Sequence, residues 1–472
     1  RAVYAASMSS LSPLRSGRMP FLAAALLLAS CAGPPATASD AASAAPAAAA
    51  STPAAPPAAS TAASTAASAA ASTAASTAAS SAAASAASPG GASSDEATLR
   101  ERFAAWLAAF RPVALAAGIG ESTFDAAFEG MQPLPRVIER DRAQPEFARA
   151  VWDYLEGAVS ATRLARGQEK LLQAREPAEA AQARHGVPPE VLVAIWGLES
   201  NYGDNTGSTP TLDALATLAF DGRREAWARG QLIAALRILQ AGDIDRAHMV
   251  GSWAGAMGQT QFLPSSFLAY AVDGDGDGRR DIWGSVPDVM ASTANFLARA
   301  GWRAGEPWGL EVSLPTGFDL ERADLQVRQP SAQWASEGVR AIDGGALPPL
   351  AESALLLPAG ARGPAFLVGA NFRALLRYNS STSYALAVGL LSQRLAGGAG
   401  VQAAWPRDLV PLTRKQVIAL QTALNARGFA SGQPDGLVGP ATREALRGFQ
   451  RSAGLPPDGF PTLDLLQRLE AR

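Results

Sequence analysis

Residues 34–94 set the first limit on how this chain can fold. They consist almost entirely of Ala, Ser, Thr and Pro, as in PAAPPAASTAASTAASAAASTAAS, and contain no aromatic residue. Such a segment cannot bury enough apolar area to offset the entropy of ordering, so we predict a disordered tether over 32–94. The alanine content could also support a helix, but the prolines and the spacing of Ser and Thr favour disorder. The folded part of the chain is therefore expected from residue 95 onwards.

The segment before the tether has the pattern of a secretion signal. Arg15 and Arg18 precede the apolar run FLAAALLL. That run is far shorter than the roughly 20 residues needed to cross a bilayer, which favours a signal sequence over a membrane span. The letters LASC, which end at Cys31, resemble the processing site of a bacterial lipoprotein. This resemblance implies that residues 1–31 carry the signal and that Cys31 becomes the lipidated first residue of the mature protein.

The residue after this cysteine bears on the destination of the protein. The residue that follows Cys31 is Ala32 and not an aspartate, a pattern that resembles lipoproteins sorted to the periplasmic face of the outer membrane. A flexible tether behind a lipid anchor would let a folded domain reach a substrate away from the membrane. The alternative is an ordinary secretory signal with an incidental cysteine, which would give a soluble periplasmic protein. Cys31 is the chain's one cysteine, so no disulfide can form within it.

Charge and residue usage argue against several functional classes. The 472 residues include 40 basic and 42 acidic side chains, for a net charge of −2. This balance gives no electrostatic reason to expect a nucleic acid as partner. The chain has two histidines, His185 and His248, which leaves little for a histidine triad or a zinc cluster. We interpret both as surface or helix-end residues.

Helical periodicity dominates residues 95–397. Predicted helices include EATLRERFAAWLAAFRPVALAAG, which stops near Gly118, REAWARGQLIAALRILQAG, which ends at Gly242, and VPDVMASTANFLARAGW. Strand patterns are sparse and lie in WGLEVSLP, in LQVRQ and in GPAFLVG. The pattern predicts a mainly α domain with a small sheet-bearing insertion.

A second unit is predicted over residues 409–472, after a linker at 398–408. Its predicted helices span 413–427, 441–453 and 462–470. The turns GQPDGLVGP and PPDGFP lead into helices that are entered through Thr442 and Thr462. The motifs VIALQTALNARGF, DGLVGPATREALRGFQ and GLPPDG resemble the peptidoglycan-binding domain of bacterial wall enzymes. A generic three-helix bundle would not require these turns.

The segment GVPPEVLVAIWGLESNYG predicts a buried helix with one ionisable residue near its end. Pro188 and Pro189 suit a helix start, and Gly203 suits its end. Because the helix is apolar on nearly all sides, Glu199 should be buried. Burial should raise the pKa of its carboxyl, which suits a group that donates a proton near neutral pH. The alternative is a helix-end glutamate that emerges into solvent.

The segment GSWAGAMGQTQFLPSSF predicts a ligand-binding loop. Three glycines interrupt it and would permit close approach to a ligand: Gly251, Gly255 and Gly258. Gln259 and Gln261 offer neutral amides that suit sugar hydroxyls and acetamides. Pro264 then opens a helix.

Taken with WGLESNYG, this loop resembles the B family of membrane-bound lytic murein transglycosylases. The stretches TLAFDGRREAW, SVPDVMASTANFLARAGW, GPAFLVGANF and RYNSSTSYALAVGLL fit the same family in the same order, over about 100–397. The resemblance implies a lysozyme-like α+β catalytic domain that cleaves peptidoglycan without a catalytic cofactor. Its implied partners are glycan strands and stem peptides, with other wall enzymes as further candidates.

Carried over position by position, the resemblance implies the roles of individual residues. Glu199 would be the single catalytic acid and base. Ser252 and Gln261 would bind sugar and acetamide groups in the cleft. The opposite side of the same cleft would be lined by Tyr378, Asn379 and Tyr384. For the tyrosines, core packing is the alternative.

The number of available carboxylates bears on the type of reaction. Glycosidases of the usual kind need two, and the sequence offers no obvious second acid near Glu199 except Asp204. The resemblance implies that one carboxyl acts in both steps and that the product carries a 1,6-anhydromuramyl end. A muramidase that uses water and a non-catalytic wall-anchoring protein are the alternatives.

The run DGDGDGRRD resembles the start of an EF-hand calcium loop, with carboxylates at positions 1, 3 and 5. Gly284 occupies position 12, where a bidentate Glu is expected. Some members of the resembled family bind calcium here through a later aspartate. The candidate ligands are Asp273, Asp275, Asp277, Arg279 and Asp288. We expect a weak structural calcium site, with a metal-free Asp/Gly turn as the alternative.

Overall fold

The structure is a computed structural model and describes residues 92–143 and 149–471. The predicted signal, the lipidation site at Cys31 and nearly all of the predicted tether lie outside these residues. No helix in the described part of the chain is both long and apolar enough to cross a membrane.

The first half of the large domain is almost entirely helical. Its helices are α1 (Ala92–Ala116), α2 (Glu121–Phe128), α3 (Pro135–Arg142), α4 (Val151–Ala158), α5 (Ala161–Gln173), α6 (Arg175–His185), α7 (Pro189–Ser200), α8 (Thr211–Asp221) and α9 (Glu225–Ala241). The predicted helix ends are confirmed, since α1 ends just before Gly118 and α9 ends at Gly242. Both glycines adopt a positive φ, of 87° and 81°, which stops a helix.

The second half combines helices with short strands. The helices are α10 (Pro264–Tyr270), α11 (Val286–Arg299), α12 (Ser331–Ser336), α13 (Ala370–Tyr378) and α14 (Thr382–Leu395). The strands are β1 (Thr209–Pro210), β2 (Val250–Gly251), β3 (Gly309–Ser313), β4 (Arg340–Ala341), β5 (Ala354–Leu356) and β6 (Ala365–Val368). The antiparallel pair β1 and β2 holds the glycine-rich loop beside the segment that follows α7.

The sheet-bearing insertion is a four-stranded antiparallel sheet in the order β4-β3-β6-β5. The strands predicted in WGLEVSLP and GPAFLVG are confirmed as β3 and β6. The strand predicted in LQVRQ is wrong, because its first residues bond locally and its last residue, Gln329, forms an isolated antiparallel bridge with Ser353. The N–H of Val327 donates to the Asp324 carbonyl at 3.0 Å, and the N–H of Gln326 donates to Asp324 Oδ1 at 2.9 Å. The outer strand β5 was not predicted.

Helix α7 lies inside the main core of the domain. Val193, Ala194 and Ile195 have no exposed surface, and α14 packs along the same helix. The prediction of a helix that is buried on nearly all sides is confirmed, and it places the end of α7 deep in the protein.

Three helices form the C-terminal module: α15 (Arg414–Ala426), α16 (Pro440–Ser452) and α17 (Leu463–Glu470). Each agrees with its predicted range to within one residue. Thr462 caps α17 as predicted. The predicted entry through Thr442 is wrong, because α16 begins at Pro440, which fits a first helical position, with Gly439 as its cap. Thr442 Oγ1 instead accepts a hydrogen bond from Gln421 Nε2 at 3.1 Å.

The module is docked on the sheet-bearing insertion. Arg447 of α16 is 6% exposed and pairs with Asp324 at 3.0 Å. The N–H of Ala361 donates to Asp458 Oδ2 at 2.9 Å. The predicted linker is also anchored, because Glu311 accepts hydrogen bonds from two of its backbone N–H groups.

Candidate active site

Helix α7 ends abruptly one residue after Glu199. Asn201, Tyr202 and Gly203 all have a positive φ, of 51°, 62° and 89°. A left-handed backbone costs roughly 1–2 kcal/mol for a residue other than glycine, so surrounding contacts must hold this turn. Ser200 Oγ provides one such contact, since it accepts a hydrogen bond from the N–H of Gly203 at 3.1 Å.

Tyr202 folds back against α7 and closes the turn. Its hydroxyl donates to the carbonyl of Arg163 at 2.9 Å. Its ring lies so close to Gly197 that a Cβ at that position would come within 2.5 Å of the ring. The glycine in WGLES is therefore required by packing, two residues before the acid.

The carboxyl of Glu199 is almost completely withdrawn from water. The residue is 7% exposed, and Oε1 has no hydrogen-bond partner among the described residues. Burial raises the pKa of Glu199 to about 7, and the hydroxyl of Tyr384 opposes this rise. Near neutral pH the group is therefore present in both its acid and its base form.

Two parallel tyrosines stand beside this carboxyl. The rings of Tyr378 and Tyr384 stack with centroids 6.5 Å apart and planes 5° apart. Burial, and then the negative charge of Glu199, raise the pKa of both hydroxyls well above the usual range, so both stay protonated. The hydroxyl of Tyr378 donates to the carbonyl of Thr260 at 2.7 Å. Tyr384 directs its hydroxyl at Glu199 instead.

The glycine-rich loop is braced by its own polar groups. Ser252 Oγ accepts hydrogen bonds from the N–H groups of Ala254 at 3.3 Å and Ala256 at 3.0 Å. Gln261 has a positive φ of 49°, and its Nε2 donates to the carbonyls of Thr206 and Gly258. Within the described residues, the Ser252 hydroxyl hydrogen and Gln261 Oε1 make no hydrogen bond, which leaves both for a ligand.

Gln259 has a different role from the one expected. Its Oε1 accepts a hydrogen bond from Trp196 Nε1 at 2.7 Å, and its Nε2 donates to the carbonyl of Trp283 at 2.8 Å. The residue is 8% exposed. Gln259 therefore does not offer a sugar the amide group that the sequence suggested.

Asn379 is buried at the junction of α13 and α14. Its Oδ1 accepts a hydrogen bond from the N–H of Ser381 at 3.1 Å, and Ser381 in turn caps α14. Asn379 thus fixes the turn between the two tyrosines. Thr260 was not anticipated, because it contributes a backbone carbonyl, for which a sequence carries no signal.

The second acid considered in the sequence is engaged elsewhere. Asp204 forms an ion pair with Arg166, and its side chain is 56% exposed. Among the described residues, the influences on the Glu199 pKa are burial and the Tyr384 hydroxyl, and no other carboxylate contributes. The site is built around one acid.

The acidic loop lies between α10 and α11. Asp273, Asp275 and Asp288 bring carboxylate oxygens within 4.8 Å of one another. Asp288 is fully buried, and its oxygens accept hydrogen bonds from the N–H groups of Gly274 and Asp281 at 2.7 and 2.6 Å. The cluster does not include Asp277, whose carboxylate bonds to the backbone and side chain of Arg279.

Comparison with known proteins gives consistent matches. The transglycosylase SLT domain family matches residues 102–393, and the peptidoglycan binding domain family matches residues 413–469. The crystal structure of SltB3 from Pseudomonas aeruginosa in complex with NAG-anhNAM-pentapeptide is 53% identical in sequence, with a TM-score of 0.77. That match covers 78% of this chain and 99% of the other.

Two relatives from Escherichia coli are more distant. The lytic transglycosylase Slt35, in a structure with calcium, is 29% identical with a TM-score of 0.52, and the match covers 62% of this chain and 92% of that one. Membrane-bound lytic murein transglycosylase B of strain K12 is 36% identical over 226 residues, which are 45% of this chain and 58% of that protein. The family resemblance predicted from the motifs is confirmed, and the chain belongs to the lytic transglycosylases of the SLT domain family.

Proposed function

We propose that this lytic transglycosylase cleaves peptidoglycan between N-acetylmuramic acid and N-acetylglucosamine and leaves 1,6-anhydromuramyl ends. The observation that supports this most directly is the buried carboxyl of Glu199, the one acid of the site among the described residues, whose pKa burial raises to about 7. A single group with this pKa can give a proton in one step and take one back in the next.

In the first step the protonated Glu199 carboxyl gives its proton to the glycosidic oxygen. The bond between that oxygen and C1 of the muramyl residue breaks, and the N-acetylglucosamine leaves with a free 4-hydroxyl. Positive charge develops at C1, and the neighbouring N-acetyl oxygen of the same sugar is placed to stabilise it. This use of the substrate replaces the second carboxylate of the usual glycosidases.

In the second step the 6-hydroxyl of the same muramyl residue attacks C1. The Glu199 carboxylate removes the hydroxyl proton, so the 1,6-anhydro ring closes and the acid form is restored. No water is consumed. Burial of the site in an apolar core favours this outcome, because it limits the access of water to C1.

Substrate contacts are proposed for the polar and aromatic side chains that surround the carboxyl. Ser252 and Gln261 would bind the sugar hydroxyls and acetamides, and Tyr378 with Tyr384 would form the opposite wall beside Asn379. SltB3 has been crystallised with NAG-anhNAM-pentapeptide, a compound with an anhydromuramyl end, which supports the same substrate class for this chain.

Product analysis tests the proposal. Sacculi are digested by the wild-type protein and by Glu199→Gln in ¹⁸O-water, and the muropeptides are analysed by mass spectrometry. We expect wild-type products that are one water lighter than reducing ends and free of ¹⁸O, and no products from Glu199→Gln. Reducing ends that carry ¹⁸O would identify a muramidase. If the wild type and Glu199→Gln both bind the sacculi equally and neither digests them, the protein is a wall-anchoring protein.

We also propose that the acidic loop binds calcium through Asp273, Asp275 and Asp288, with Asp277 and Arg279 at the edge of the site. Three crowded carboxylates provide the hard oxygen ligands that calcium prefers, and burial, with a smaller contribution from the negative charge of Asp275, raises the pKa of Asp288. The related Slt35 has a structure with calcium. Calcium should raise the melting temperature of the wild type and not that of Asp275→Ala. Equal shifts in both proteins would contradict the site.

For location, we propose that Cys31 carries a lipid that holds the protein at the periplasmic face of the outer membrane. The processing-site pattern supports this, as does the relative named as membrane-bound. Metabolic labelling with a radioactive fatty acid should mark the wild type and not Cys31→Ala. Equal absence of label would favour the soluble periplasmic form.

A further inference from the structure

Gln259 contacts the chain on both sides of Glu199. Trp196, three residues before the acid, donates its Nε1 hydrogen to Gln259 Oε1 at 2.7 Å. Gly203, four residues after the acid, lies so close that a Cβ there would come within 2.5 Å of the same Oε1. One side-chain amide thus packs against both ends of the turn that presents the carboxyl.

Two further hydrogen bonds hold Gln259 in place. Its Nε2 donates to the carbonyl of Trp283, and its backbone N–H donates to the carbonyl of Ile282, both at 2.8 Å. Asp281 holds that segment in turn, because its Oδ1 accepts hydrogen bonds from the N–H groups of Trp283 and Gly284, each at 2.8 Å. A continuous brace therefore runs from residues 281–284 through Gln259 to helix α7.

The turn after Glu199 needs such a brace. Asn201 and Tyr202 both hold left-handed backbone conformations, which persist only when the surrounding structure imposes them. A displacement of about 1 Å at a reacting group can lower a rate on the order of 100-fold. The contacts that fix this turn should therefore affect catalysis without touching the substrate.

We propose that Gln259 is a positioning residue for the transglycosylase reaction, acting through Trp196 and the turn at residues 201–203. The inference rests on the proposed function, because it takes Glu199 as the proton donor. The use of its side-chain amide distinguishes Gln259 from its neighbour Gln261, which is half-buried and keeps Oε1 for a ligand. Both amide atoms of Gln259 are already bonded within the protein.

The test compares Gln259→Leu with a matched control, Gln231→Leu. Gln231 is also 8% exposed, and its amide bonds to Ser265 through Nε2 at 2.9 Å and Oε1 at 3.0 Å. It joins α9 to α10 and makes none of its hydrogen bonds to α7. Both variants lose two side-chain hydrogen bonds, so their losses of stability should be similar. Only Gln259→Leu should lower kcat, by roughly 10- to 100-fold, with KM changed by less than about two-fold.

Two further measurements separate positioning from binding. In the Glu199→Gln background, the addition of Gln259→Leu should leave the affinity for a soluble glycan fragment unchanged. Trp196→Phe removes the Nε1 donor, so it should lower kcat in the same direction. The double variant Trp196→Phe/Gln259→Leu should be no slower than the slower single variant, since both changes break one shared hydrogen bond.

Three results would overturn the inference: a raised KM with kcat intact, an equal loss of kcat in Gln231→Leu, or fully additive effects of the Trp196 and Gln259 changes. A failure of the proposed function is distinguishable from these, because the wild type would then form no anhydro products.

Discussion

The hydroxyl of Tyr384 faces the carboxyl of Glu199 inside the core and partly offsets the rise in its pKa. Neither this hydroxyl nor Glu199 Oε1 makes a hydrogen bond of normal geometry to another described residue. The two groups therefore form a polar pair in a mostly apolar environment, and each depends on the other for its protonation behaviour.

Removal of the Tyr384 hydroxyl should change how activity depends on pH. Tyr384→Phe deletes the group that lowers the pKa of Glu199, so the alkaline limb of the kcat profile should move to higher pH. We expect kcat at its optimum to fall roughly ten-fold, because the carboxylate loses the polar hydroxyl that faces it. Tyr270→Phe serves as control, because Tyr270 packs on Phe296 and should leave the limb in place. A limb that moves to lower pH would contradict the assignment.

The buried acid should also make stability depend on pH. The pKa of Glu199 is about 7 in the folded protein and near 4.5 when exposed, so the folded state binds more protons between these values. Stability therefore falls as pH rises through this window. Glu199→Gln removes the effect and should be more stable than the wild type above pH 7, by up to roughly 3 kcal/mol.

Urea unfolding at pH 4 and pH 8 measures this difference. The stabilisation by Glu199→Gln should be present at pH 8 and nearly absent at pH 4. An equal difference at both pH values would mean that the carboxyl keeps its ordinary pKa in the fold. In the same range, wild-type kcat should fall as pH rises above about 7, because the proton donor is lost.

Gly197 should resist even the smallest substitution. In Gly197→Ala the new Cβ would meet the Tyr202 ring at 2.5 Å, and we expect a loss of about 1–3 kcal/mol in the free energy of unfolding. Gly157 in α4 is the control, since a Cβ there has no neighbour within 4 Å. Gly157→Ala should be neutral or stabilising by up to about 1 kcal/mol, because alanine favours a helix. Similar denaturation midpoints for the two variants would refute the role of Gly197.

The docking of the C-terminal module should depend mainly on Arg447. Arg447→Ala removes the ion-pair partner of Asp324 and a donor to the Ala323 carbonyl, so we expect a loss of about 1–3 kcal/mol. Arg451, which pairs with Glu321, is the control because its side chain is 50% exposed. Arg451→Ala should cost less than about 1 kcal/mol. Hydrogen exchange in α16 would report the difference, and equal exchange in both variants would count against it.

The features predicted correctly from the sequence depend on neighbours in the chain. The burial of Glu199 followed from the apolar residues around it in α7, and the ends of α1 and α9 followed from their glycines. The strand wrongly predicted in LQVRQ shows the limit of such patterns. Alternating apolar residues occur there, but the side chain and carbonyl of Asp324 accept the backbone N–H groups of Gln326 and Val327 locally.

The features that the sequence did not reveal depend on distant contacts. Gln259 looked like a sugar ligand because an amide beside a glycine-rich loop suits that role. Its partner Trp196 lies 63 positions earlier in the chain, so no local pattern could show that the amide is already bonded. Ser252 and Gln261 keep polar atoms for a ligand, and their assignment as sugar-binding residues stays a prediction.

The burial of Glu199 by remote parts of the chain has a consequence for when the protein can act. An isolated peptide of α7 would leave the carboxylate in water, where it would be ionised at neutral pH and unable to give a proton. Its raised pKa depends on burial in the folded domain, and the elements packed on α7 include α14, which follows it by almost two hundred residues. A chain that ended before Tyr384 would carry the same glutamate without this helix packed on α7.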